Sequence, residues 1–574
     1  MVRKYFWLPV LIGLSTGIAA VLFVKALELI THVVLENLVG YYQPLPAGEG
    51  SRDFYTFEIL YSYLLPFVVA LGGLISGLLS HFFAPESAGV GTDAAIKAYH
   101  YGKKLSLKSS LIKLITSAIT IGTGGTSGRE GPIALIGAGI GSSIAEWFKL
   151  RESEKREALA IGLGSGIAAI FKAPLAGAII SAEVFFKRDF YIETMIPSFI
   201  ASVISYSVFG SVYGFQPIFS ANIPPFREIG ISGLIAYGGL GLICALFTRI
   251  YITIFFTIGK LFKNLPLPEY IKPAVGGFLA GTIGMVIPVA IGNGYGWLQL
   301  ILDGKVNDYL FTLAGAIGVI LGVSFTIGSG GSGGVFGPSV MIGGLIGATY
   351  ALFLNKHYNL NLHTPSFTIV GMVALFAGAA KAPLSTLILI AEMTGGYELL
   401  VPAMIAVFIS YFLSGSKSIF PSQVNTRLDS PAHIDEFGLY ILERLRVKDY
   451  MTPNPITIHP SSTLYEAQRI IAKNMIGGIP VANGRKLVGI ITKSDINKVP
   501  EDKRKFTKVY EVMNVNVITV IEDEVLSEVL RIMSTKGIGR LPVIKDSNSK
   551  EVIGIITRAD IGRAIREWGR HDNR

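Results

Sequence analysis

Long apolar runs, broken by Gly, Pro and short polar stretches, fill the first three quarters of the chain. They cover 5–39, 56–83, 111–127, 132–149, 158–171, 174–186, 191–213, 229–263, 272–303, 308–327, 338–355, 366–380, 383–394 and 399–419. A helix needs about 20 residues to cross the hydrocarbon core of a bilayer. Several of these runs are shorter, so the pattern predicts a polytopic α-helical membrane protein in which some helices are broken.

Composition agrees with this pattern and divides the chain in two. The 574 residues are 51% hydrophobic and only 16% charged, whereas a soluble domain carries about 25% charged residues. From Tyr440 to Arg574 the 135 residues hold 23 Lys/Arg and 16 Asp/Glu. We therefore predict a membrane domain over 1–437 and a soluble, basic tail over 438–574. The single cysteine, Cys244, excludes an intrachain disulfide.

Two motifs recur in the membrane domain, in the same order and at nearly one offset. GTGGTSGREGP (122–132) matches GSGGSGGVFGP (328–338), 206 residues later, and KAPLAGAIISAE (172–183) matches KAPLSTLILIAE (381–392), 209 residues later. These matches predict two homologous repeats, roughly 56–215 and 229–419. An odd number of spans in each repeat would invert one relative to the other, but the runs do not fix that number.

The first motif has the chemistry of an anion site. Pro132 and Pro338 suit the first turn of a helix, where a missing N–H costs nothing. Amides in that turn lack helical partners and carry the positive end of the helix dipole, and the preceding glycines leave them open to a small anion. Glu130 places a carboxylate where that anion would lie, and protonation would release it. The alternative is a structural ion pair between Arg129 and Glu130.

These motifs resemble the CLC family of chloride channels and chloride/proton exchangers over essentially the whole membrane domain. The resemblance implies a homodimer with one anion pathway per subunit, inverted repeats and broken helices, and it makes Glu130 the external gating glutamate. It implies anion-site residues at Val90, Gly91, Gly128, Arg129, Gly131, Gly334, Val335, Phe336 and Phe420.

The sequence departs from the family pattern at three places. In PESAGVGTDAA (85–95), Val90 stands where the family usually has a serine and Asp93 where it has a proline. Phe420 stands where a tyrosine is usual, and Val184 where exchangers commonly carry an internal proton glutamate. We therefore expect passive or weakly coupled anion conduction, with a chloride/proton antiporter using a non-standard internal proton path as the alternative.

Other charged residues near the repeats have ordinary interpretations. Glu183 lies four residues before Lys187, so a helix-end ion pair is the expected role of its carboxylate. Lys172 and Lys381 precede the two PL dipeptides and either draw anions to the inner mouth or extend to lipid headgroups.

The tail contains a repeat of its own. Residues 447–496 match 509–561, and each copy alternates short strands with amphipathic helices. The IPV/LPV and ITKSD/ITRAD segments resemble a tandem cystathionine-β-synthase (CBS) module, with copies at about 444–498 and 509–566. Because each copy exposes an apolar sheet face, we expect the two to pack as one α/β unit.

Such modules hold an adenine nucleotide between the copies, so the resemblance implies ATP, ADP or AMP as a regulatory ligand; no other cofactor is required. Asp495 and Asp560 would accept from ribose hydroxyls, and Arg540 would meet phosphates. The full implied set is Thr457, Ile476, Gly477, Gly478, Ile479, Pro480, Asp495, Thr519, Ile538, Gly539, Arg540, Pro542 and Asp560. The alternative is a module that only dimerises.

The functional prediction is an integral membrane anion transporter, not an enzyme, in the plasma membrane with a cytoplasmic tail. Its partners would be chloride or a related small anion, possibly protons, a second copy of the chain and the lipid bilayer, without nucleic acid or a bound metal. A CBS-regulated divalent-cation transporter would need clustered intramembrane carboxylates. A membrane-anchored nucleotide sensor that transports nothing is a third alternative. The paired helix-start motifs argue against it, because a membrane anchor needs neither of them.

Overall fold

The computed structural model describes residues 2–50, 59–102, 105–225, 230–433, 441–546 and 548–571. The chain forms two compact units, Met1–Arg427 and Leu428–Arg574. The predicted domain boundary at 437/438 lies outside the described residues.

The first unit is built from helices, six of which are long and apolar enough to cross a membrane. In chain order the α-helices are α1 Val2–Thr31, α2 Leu65–Phe83, α3 Gly91–Tyr101, α4 Leu107–Gly122, α5 Glu130–Trp147, α6 Glu152–Phe171, α7 Pro174–Glu183, α8 Ile192–Tyr213, α9 Gly230–Asn264, α10 Lys272–Val286, α11 Tyr295–Leu302, α12 Tyr309–Gly328, α13 Phe336–Tyr358, α14 Thr364–Ala380, α15 Pro383–Thr394 and α16 Leu400–Leu413. Short 3-10 turns at Ala47–Glu49, Pro85–Ser87 and Pro288–Ala290 and a π-helical turn at His32–Val39 connect some of them.

The packing of these helices repeats. Helix α1 packs on α8 as α9 packs on α16, and α5 packs on α6 as α13 packs on α14. Helices α2 and α10 pack against each other and join the two repeats. By this pattern the first repeat also includes α1, which precedes the range 56–215.

Glycine pairs allow the closest of these contacts. A Cβ atom placed on Gly137 of α5 would overlap the carbonyl of Gly162 on α6, and one on Gly343 of α13 would overlap the carbonyl of Gly371 on α14. The two pairs occupy equivalent positions in the two repeats. Small residues at such crossings let helix backbones approach in a membrane, where burial of apolar side chains gives little net driving force.

Two glutamates fasten the repeats to each other by reciprocal hydrogen bonds. Glu183, at the end of α7, accepts from the amides of Leu384 (2.9 Å) and Ser385 (2.7 Å) at the start of α15, and from the Ser385 hydroxyl (2.6 Å). Glu392 of α15 accepts from the amides of Leu175 (3.1 Å) and Ala176 (2.8 Å) at the start of α7. We call these two contacts the glutamate clasp.

The glutamate clasp fixes the relative direction of the repeats. Because each helix end meets the other helix's start, the equivalent helices α7 and α15 run antiparallel, and the predicted inverted architecture is confirmed. The expected ion pair between Glu183 and Lys187 is wrong, because both carboxylate oxygens of Glu183 accept from α15 instead. The free amides of a helix start compete better than a flexible lysine.

The lysines before the two PL dipeptides end α6 and α14 in a left-handed conformation, with φ of 53° for Lys172 and 57° for Lys381. The Lys172 ammonium donates to the carbonyls of Gly48 (2.7 Å) and Tyr213 (2.9 Å). Since α7 and α15 run antiparallel, Lys172 and Lys381 lie at opposite ends of that pair, and they do not share one mouth.

The second unit has helices α17 Val447–Tyr450, α18 Leu464–Lys473, α19 Lys493–Asn497, α20 Leu526–Thr535 and α21 Arg558–His571, and strands β1 Thr452–Pro453, β2 Gly478–Asn483, β3 Lys486–Thr492, β4 Val520–Ile521, β5 Arg540–Ile544 and β6 Val552–Thr557. One sheet has the order β1-β6-β5-β4 and the other is the β2-β3 hairpin.

The two copies in this unit are interlocked. Strand β1 of the first copy pairs with β6 of the second. In the hairpins, Pro480 faces Ile490 and Pro542 faces Ile555. Each copy has its own apolar core, but the core of the second copy also includes Leu445 and Val447, from the start of the first. The copies therefore pack as one unit.

We expect Glu183→Ala to lower the stability of the membrane unit, because two amides and a hydroxyl of α15 would lose their acceptor. A lost hydrogen bond to a charged group costs about 1.5–3 kcal/mol, so thermal unfolding in detergent should begin several degrees lower. The matched control is Glu193→Ala, which removes an exposed carboxylate from α8. Equal unfolding temperatures for the two variants would contradict a stabilising clasp.

Candidate anion site and nucleotide cleft

Three glycine-rich loops from the two repeats meet at the starts of α5 and α13. The Gly128 amide donates to the Gly334 carbonyl (2.9 Å), and the Gly334 amide donates to the Ser127 hydroxyl (2.9 Å). The Gly91 amide donates to the Gly333 carbonyl (3.2 Å). These bonds place the start of α3 beside the other two loops.

Only glycine fits where these loops cross. A Cβ on Gly128 would lie 2.6 Å from the Gly337 nitrogen, and one on Gly131 would lie 2.6 Å from the Gly334 Cα. Pro132 and Pro338 are each the third residue of their helices. The first turns of α5 and α13 therefore start at one place, with amides that have no helical acceptor.

Glu130 lies at this meeting point and is fully buried. One carboxylate oxygen accepts from the Tyr295 hydroxyl (2.7 Å), and the other accepts from the Gly337 amide (3.2 Å). The first residue of α5 thus interacts with the first turn of α13, across the interface between the repeats. Its carboxylate has the place and the donors that a small anion would take at the α13 start.

Arg129 does not pair with Glu130 but with a loop outside the motif. Its guanidinium forms an ion pair with Glu49 and lies 5.8 Å from the centre of the Tyr295 ring. The Arg129 side chain is 5% exposed, and its Nε has no hydrogen-bond partner in the part of the chain that the structure describes. The structural Arg129–Glu130 pair that the sequence left open is therefore not formed.

A buried lysine supports the first of the three loops. The Lys113 ammonium, fully buried on α4, donates to the carbonyls of Ser87 (2.9 Å) and Gly89 (2.8 Å). Both acceptors are neutral. Lys113 therefore holds the loop that carries Val90 through two of its backbone carbonyl groups.

A vestibule of about 570 Å³ opens beside this loop. Its lining includes Val90, Asp93 and, from the segment around Phe420, Ile419 and Pro421. Asp93 accepts from the amide (2.8 Å) and the hydroxyl (2.9 Å) of Ser422. The carboxylate that replaces the usual proline thus fastens the start of α3 to the Phe420 segment. Phe420 itself is fully buried.

The structure brings most of the predicted anion-site residues together. They do not all do the same thing there: some form hydrogen bonds between the loops, and one packs its ring against another aromatic residue. The amides of Gly91, Gly128 and Gly334 are used between the loops, as described above. Phe336 packs its ring on Phe376 at 3.7 Å between centroids.

Sequence reasoning missed Tyr295, Gly337, Glu49 and Lys113. Gly337 lies within the GVFGP segment of the second motif, Tyr295 lies between glycines in GNGYGW and Lys113 lies in a largely apolar run, whereas Glu49 leaves no signal in the sequence.

In the second unit a cleft of about 370 Å³ lies between the two copies. Six predicted nucleotide residues line it: Gly477, Asp495, Ile538, Gly539, Arg540 and Pro542. The other seven, Thr457, Ile476, Gly478, Ile479, Pro480, Thr519 and Asp560, do not line this cleft, and Ile479 is fully buried in the core of the first copy. Missed residues include Thr492, Asn514 and Asn516.

The two predicted ribose acceptors have matching surroundings. Asp495 accepts from the Thr492 amide (3.1 Å) and hydroxyl (2.6 Å), and Asp560 accepts from the Thr557 amide (2.9 Å) and hydroxyl (2.7 Å). Burial alone would raise the pKa of Asp495, but hydrogen bonds from Thr492 and the ammonium of Lys498 hold that pKa below its usual value. Asp495 is therefore an ionised acceptor at neutral pH.

The Arg540 guanidinium sits against Gly477 and Gly478, where a Cβ on Gly478 would lie 2.8 Å from its Nη1. Burial lowers the pKa of Arg540. Its guanidinium has no carboxylate partner among the described residues. A half-buried cation without a counter-charge, in a cleft with an ionised aspartate, suits a phosphorylated nucleoside.

Comparisons with known proteins agree with this geometry. The profile of the family described as "Voltage gated chloride channel" matches residues 72–415, and that of the CBS domain matches 447–502 and 509–567. The H(+)/Cl(-) exchange transporter ClcA of Salmonella arizonae is 29% identical over 427 residues, 70% of this chain and 85% of ClcA.

Two solved structures share the fold. A slow cyanobacterial Cl-/H+ antiporter aligns with a TM-score of 0.62 and 22% identity over 73% of this chain and 96% of its own. A eukaryotic CLC transporter aligns with a TM-score of 0.56 and 19% identity over 97% of this chain and 98% of its own. Because the family profile covers more than half of the chain, this protein belongs to the CLC family of chloride channels and transporters and carries a C-terminal pair of CBS domains.

Proposed function

We propose that this CLC protein exchanges chloride for protons, and that Glu130 handles both ions. One observation carries the proposal: the buried Glu130 carboxylate occupies the junction of α5 and α13, held by the Gly337 amide and the Tyr295 hydroxyl. A group in that place must leave before an anion can pass.

Protonation makes that departure easier. An ionised carboxylate loses about 1.5–3 kcal/mol with each hydrogen bond that it gives up. A neutral carboxylic acid is a weaker acceptor, so an incoming chloride displaces it from the same donors more readily. The proton then travels with Glu130, while chloride takes the junction. One side chain thereby links the movement of the two ions.

The charges around the junction suit an anion that must also leave. The Arg129 guanidinium is neutralised by Glu49, so the site attracts chloride with amides and a compensated cation. An unpaired arginine in a buried site would hold the anion too tightly for conduction. Lys113 lies on the other side of the first loop, where it donates to two carbonyl groups.

The relatives favour the exchanger over the passive conduction that the sequence indicated. ClcA of Salmonella arizonae bears the name of an H(+)/Cl(-) exchange transporter. Val184 is buried and apolar, and Glu183 is held by α15, so neither supplies a mobile proton acceptor. We assign the inner proton step to the vestibule, where the carboxylate of Glu86 is exposed.

The tail adds a regulatory site to the proposal. The cleft with Asp495 and Arg540 would bind ATP, ADP or AMP, and the occupied cleft would change the rate of transport. As the family resemblance implies, the protein would be a homodimer in the plasma membrane with its tail in the cytoplasm. Within the described residues no group of three His, Cys, Asp or Glu side chains comes together as a divalent-cation carrier would need.

Glu130→Gln should remove the pH dependence of chloride flux, since an amide cannot gain or lose the proton that frees the junction. In the unchanged protein, flux should rise as the pH falls from neutral to acid, because protonation releases the gate. Chloride efflux from proteoliposomes, recorded over this pH range, measures the flux of the unchanged protein and of Glu130→Gln. The control is Glu398→Gln, which changes an exposed carboxylate. A steep acid rise that persists in Glu130→Gln would place the gate elsewhere.

Exchange itself is tested by proton movement. A chloride gradient across sealed proteoliposomes, with voltage clamped by a potassium ionophore, should drive protons uphill in the unchanged protein, and Glu130→Ala should abolish this. Lumenal pH is the readout. If the unchanged protein conducts chloride without any uphill proton movement, passive anion conduction describes it better than exchange.

Tyr295→Phe should raise chloride flux at neutral pH, because the ionised Glu130 carboxylate loses its shorter hydrogen bond and competes less well with chloride. Losing this hydrogen bond costs the bound carboxylate about 1.5–3 kcal/mol. Chloride should therefore displace the carboxylate roughly tenfold or more readily. The control is Tyr237→Phe, which removes the hydroxyl of a different buried tyrosine, on α9. Unchanged or lower flux in Tyr295→Phe would contradict a holding role for the hydroxyl.

Asp495→Ala should weaken the binding of adenine nucleotides to the full-length protein by roughly tenfold or more, the effect of losing a charged acceptor. Calorimetry with ATP, ADP and AMP gives the affinities. Asp502→Ala removes an exposed carboxylate that follows α19 and does not line the cleft, and it should leave these affinities unchanged. If none of the three nucleotides gives a heat of binding, the proposed regulatory nucleotide site is wrong.

A further inference from the structure

An unpaired hydrogen-bond acceptor lies beside Glu130. The side-chain carbonyl oxygen of Asn293, Oδ1, is buried and has no hydrogen-bond donor among the described residues. Such atoms are rare in folded proteins, because a buried acceptor without a donor costs free energy. Neither the hydrogen bonds between the loops nor the ion pair of Arg129 explains why the chain has an amide side chain at this position.

The backbone holds Asn293 in place. Asn293 lies in the loop that precedes α11, and this loop is fastened to the first helix-start motif. The Gly292 amide donates to the Gly124 carbonyl (3.1 Å), and the Ser127 amide donates to the Gly292 carbonyl (3.1 Å). Gly292 and Gly294, on either side of Asn293, are left-handed, with φ of 62° and 72°, which side-chain-bearing residues rarely adopt. The position of Asn293 therefore does not depend on its own side chain.

This loop brings two side chains to the Glu130 carboxylate. The Tyr295 hydroxyl donates to one oxygen, Oε1 (2.7 Å). The other oxygen, Oε2, accepts from the Gly337 amide (3.2 Å). A Cβ placed on Gly337 would lie 2.8 Å from Oε2 of Glu130 and 3.1 Å from Oδ1 of Asn293. The two oxygens thus flank the same point, and Asn293 is next to the carboxylate oxygen that has the longer hydrogen bond.

The two oxygens cannot bond to each other while Glu130 is ionised, since a carboxylate and an amide carbonyl are both acceptors. Protonation turns one carboxylate oxygen into an O–H donor. The unpaired Oδ1 of Asn293 is then the acceptor beside it. The protonated form of Glu130 gains a hydrogen bond that the ionised form lacks, and the buried oxygen of Asn293 gains its missing donor.

The charged and titratable groups that face Glu130 do not include another unpaired acceptor among the described residues. Arg129, the preceding residue, has only donors and is paired with Glu49. Tyr295 on α11 donates to Glu130. Lys113 on α4 has only donors and bonds to the first loop. The first turn of α13 carries no titratable side chain. Asn293 is therefore the group that suits the protonated carboxyl.

We propose that Asn293 is a positioning residue for the gate, whose Oδ1 accepts a hydrogen bond from the protonated Glu130 carboxyl group. The loop before α11 then serves both forms of Glu130. The Tyr295 hydroxyl holds the ionised carboxylate in the junction, and Asn293 stabilises the neutral acid that gives way to chloride. The inference rests on the proposed gating role of Glu130 and adds the residue that sets the pH at which the gate opens.

The test is the pH profile of chloride efflux from proteoliposomes that contain the full-length protein. Asn293→Leu keeps the side-chain volume and removes the acceptor. The midpoint of the acid rise should therefore move to lower pH by roughly half a unit to one unit, the effect of losing one hydrogen bond. Asn293→Asp keeps an acceptor and adds a negative charge that disfavours ionised Glu130, so the midpoint should move to higher pH. A purely structural role would not give shifts of opposite sign.

The matched control is Asn307→Leu, which changes an exposed asparagine after α11 and should keep the midpoint. An unchanged or higher midpoint in Asn293→Leu, while Glu130→Gln still abolishes the acid rise, would overturn the acceptor role and leave the proposed gate intact. If Asn293→Leu does not fold, an unchanged or lower midpoint in Asn293→Asp overturns that role instead. Absence of any acid rise in the unchanged protein would overturn the gate and this inference with it.

Discussion

The membrane unit depends on finding acceptors for the first amides of helices that begin inside the protein. Water cannot satisfy these amides at membrane depth, and an unsatisfied one costs several kcal/mol. The chain solves this with glutamates that cross between the repeats. Glu183 accepts from the start of α15, Glu392 from the start of α7, and Glu130 from the first turn of α13. Each carboxylate belongs to one repeat and the helix start to the other, so neither repeat is complete alone.

The same interaction uses more amide donors in two of these places than in the third. Glu183 receives two amides and a hydroxyl, and Glu392 receives two amides, all between 2.6 and 3.1 Å. Glu130 receives a single amide at 3.2 Å and a hydroxyl from a side chain. The weaker set of donors leaves Glu130 easier to displace. The number of amide donors thus separates Glu183 and Glu392, which receive two each, from Glu130, which receives one and for which we propose the gating role.

The sequence predicted the repeats, the helix starts and Glu130, because each of these is a local pattern of glycine, proline and charge. It did not predict the partners of Glu130 and Arg129. Tyr295 lies 165 residues from Glu130, and Glu49 lies 80 residues from Arg129. The Glu183–Lys187 prediction failed for the same reason, since spacing along one helix says nothing about a helix of the other repeat. Short α3 and the division of 272–303 into α10 and α11 were missed because glycine-rich runs hide helix ends.

The substitutions that distinguish this chain from its family pattern have consequences that only the structure reveals. Phe420 has no hydroxyl, whereas the Tyr295 hydroxyl on α11 donates to Glu130. Asp93, in place of a proline, regains the backbone amide and adds a carboxylate, and it uses that carboxylate to hold Ser422 beside Phe420. The first loop therefore relies on Lys113 and Asp93 for its shape, while Val90 contributes no polar side chain. If the proposed anion site includes this loop, we expect it to discriminate among anions by the size of the opening and by backbone dipoles, and less by hydrogen bonding than a site with the serine.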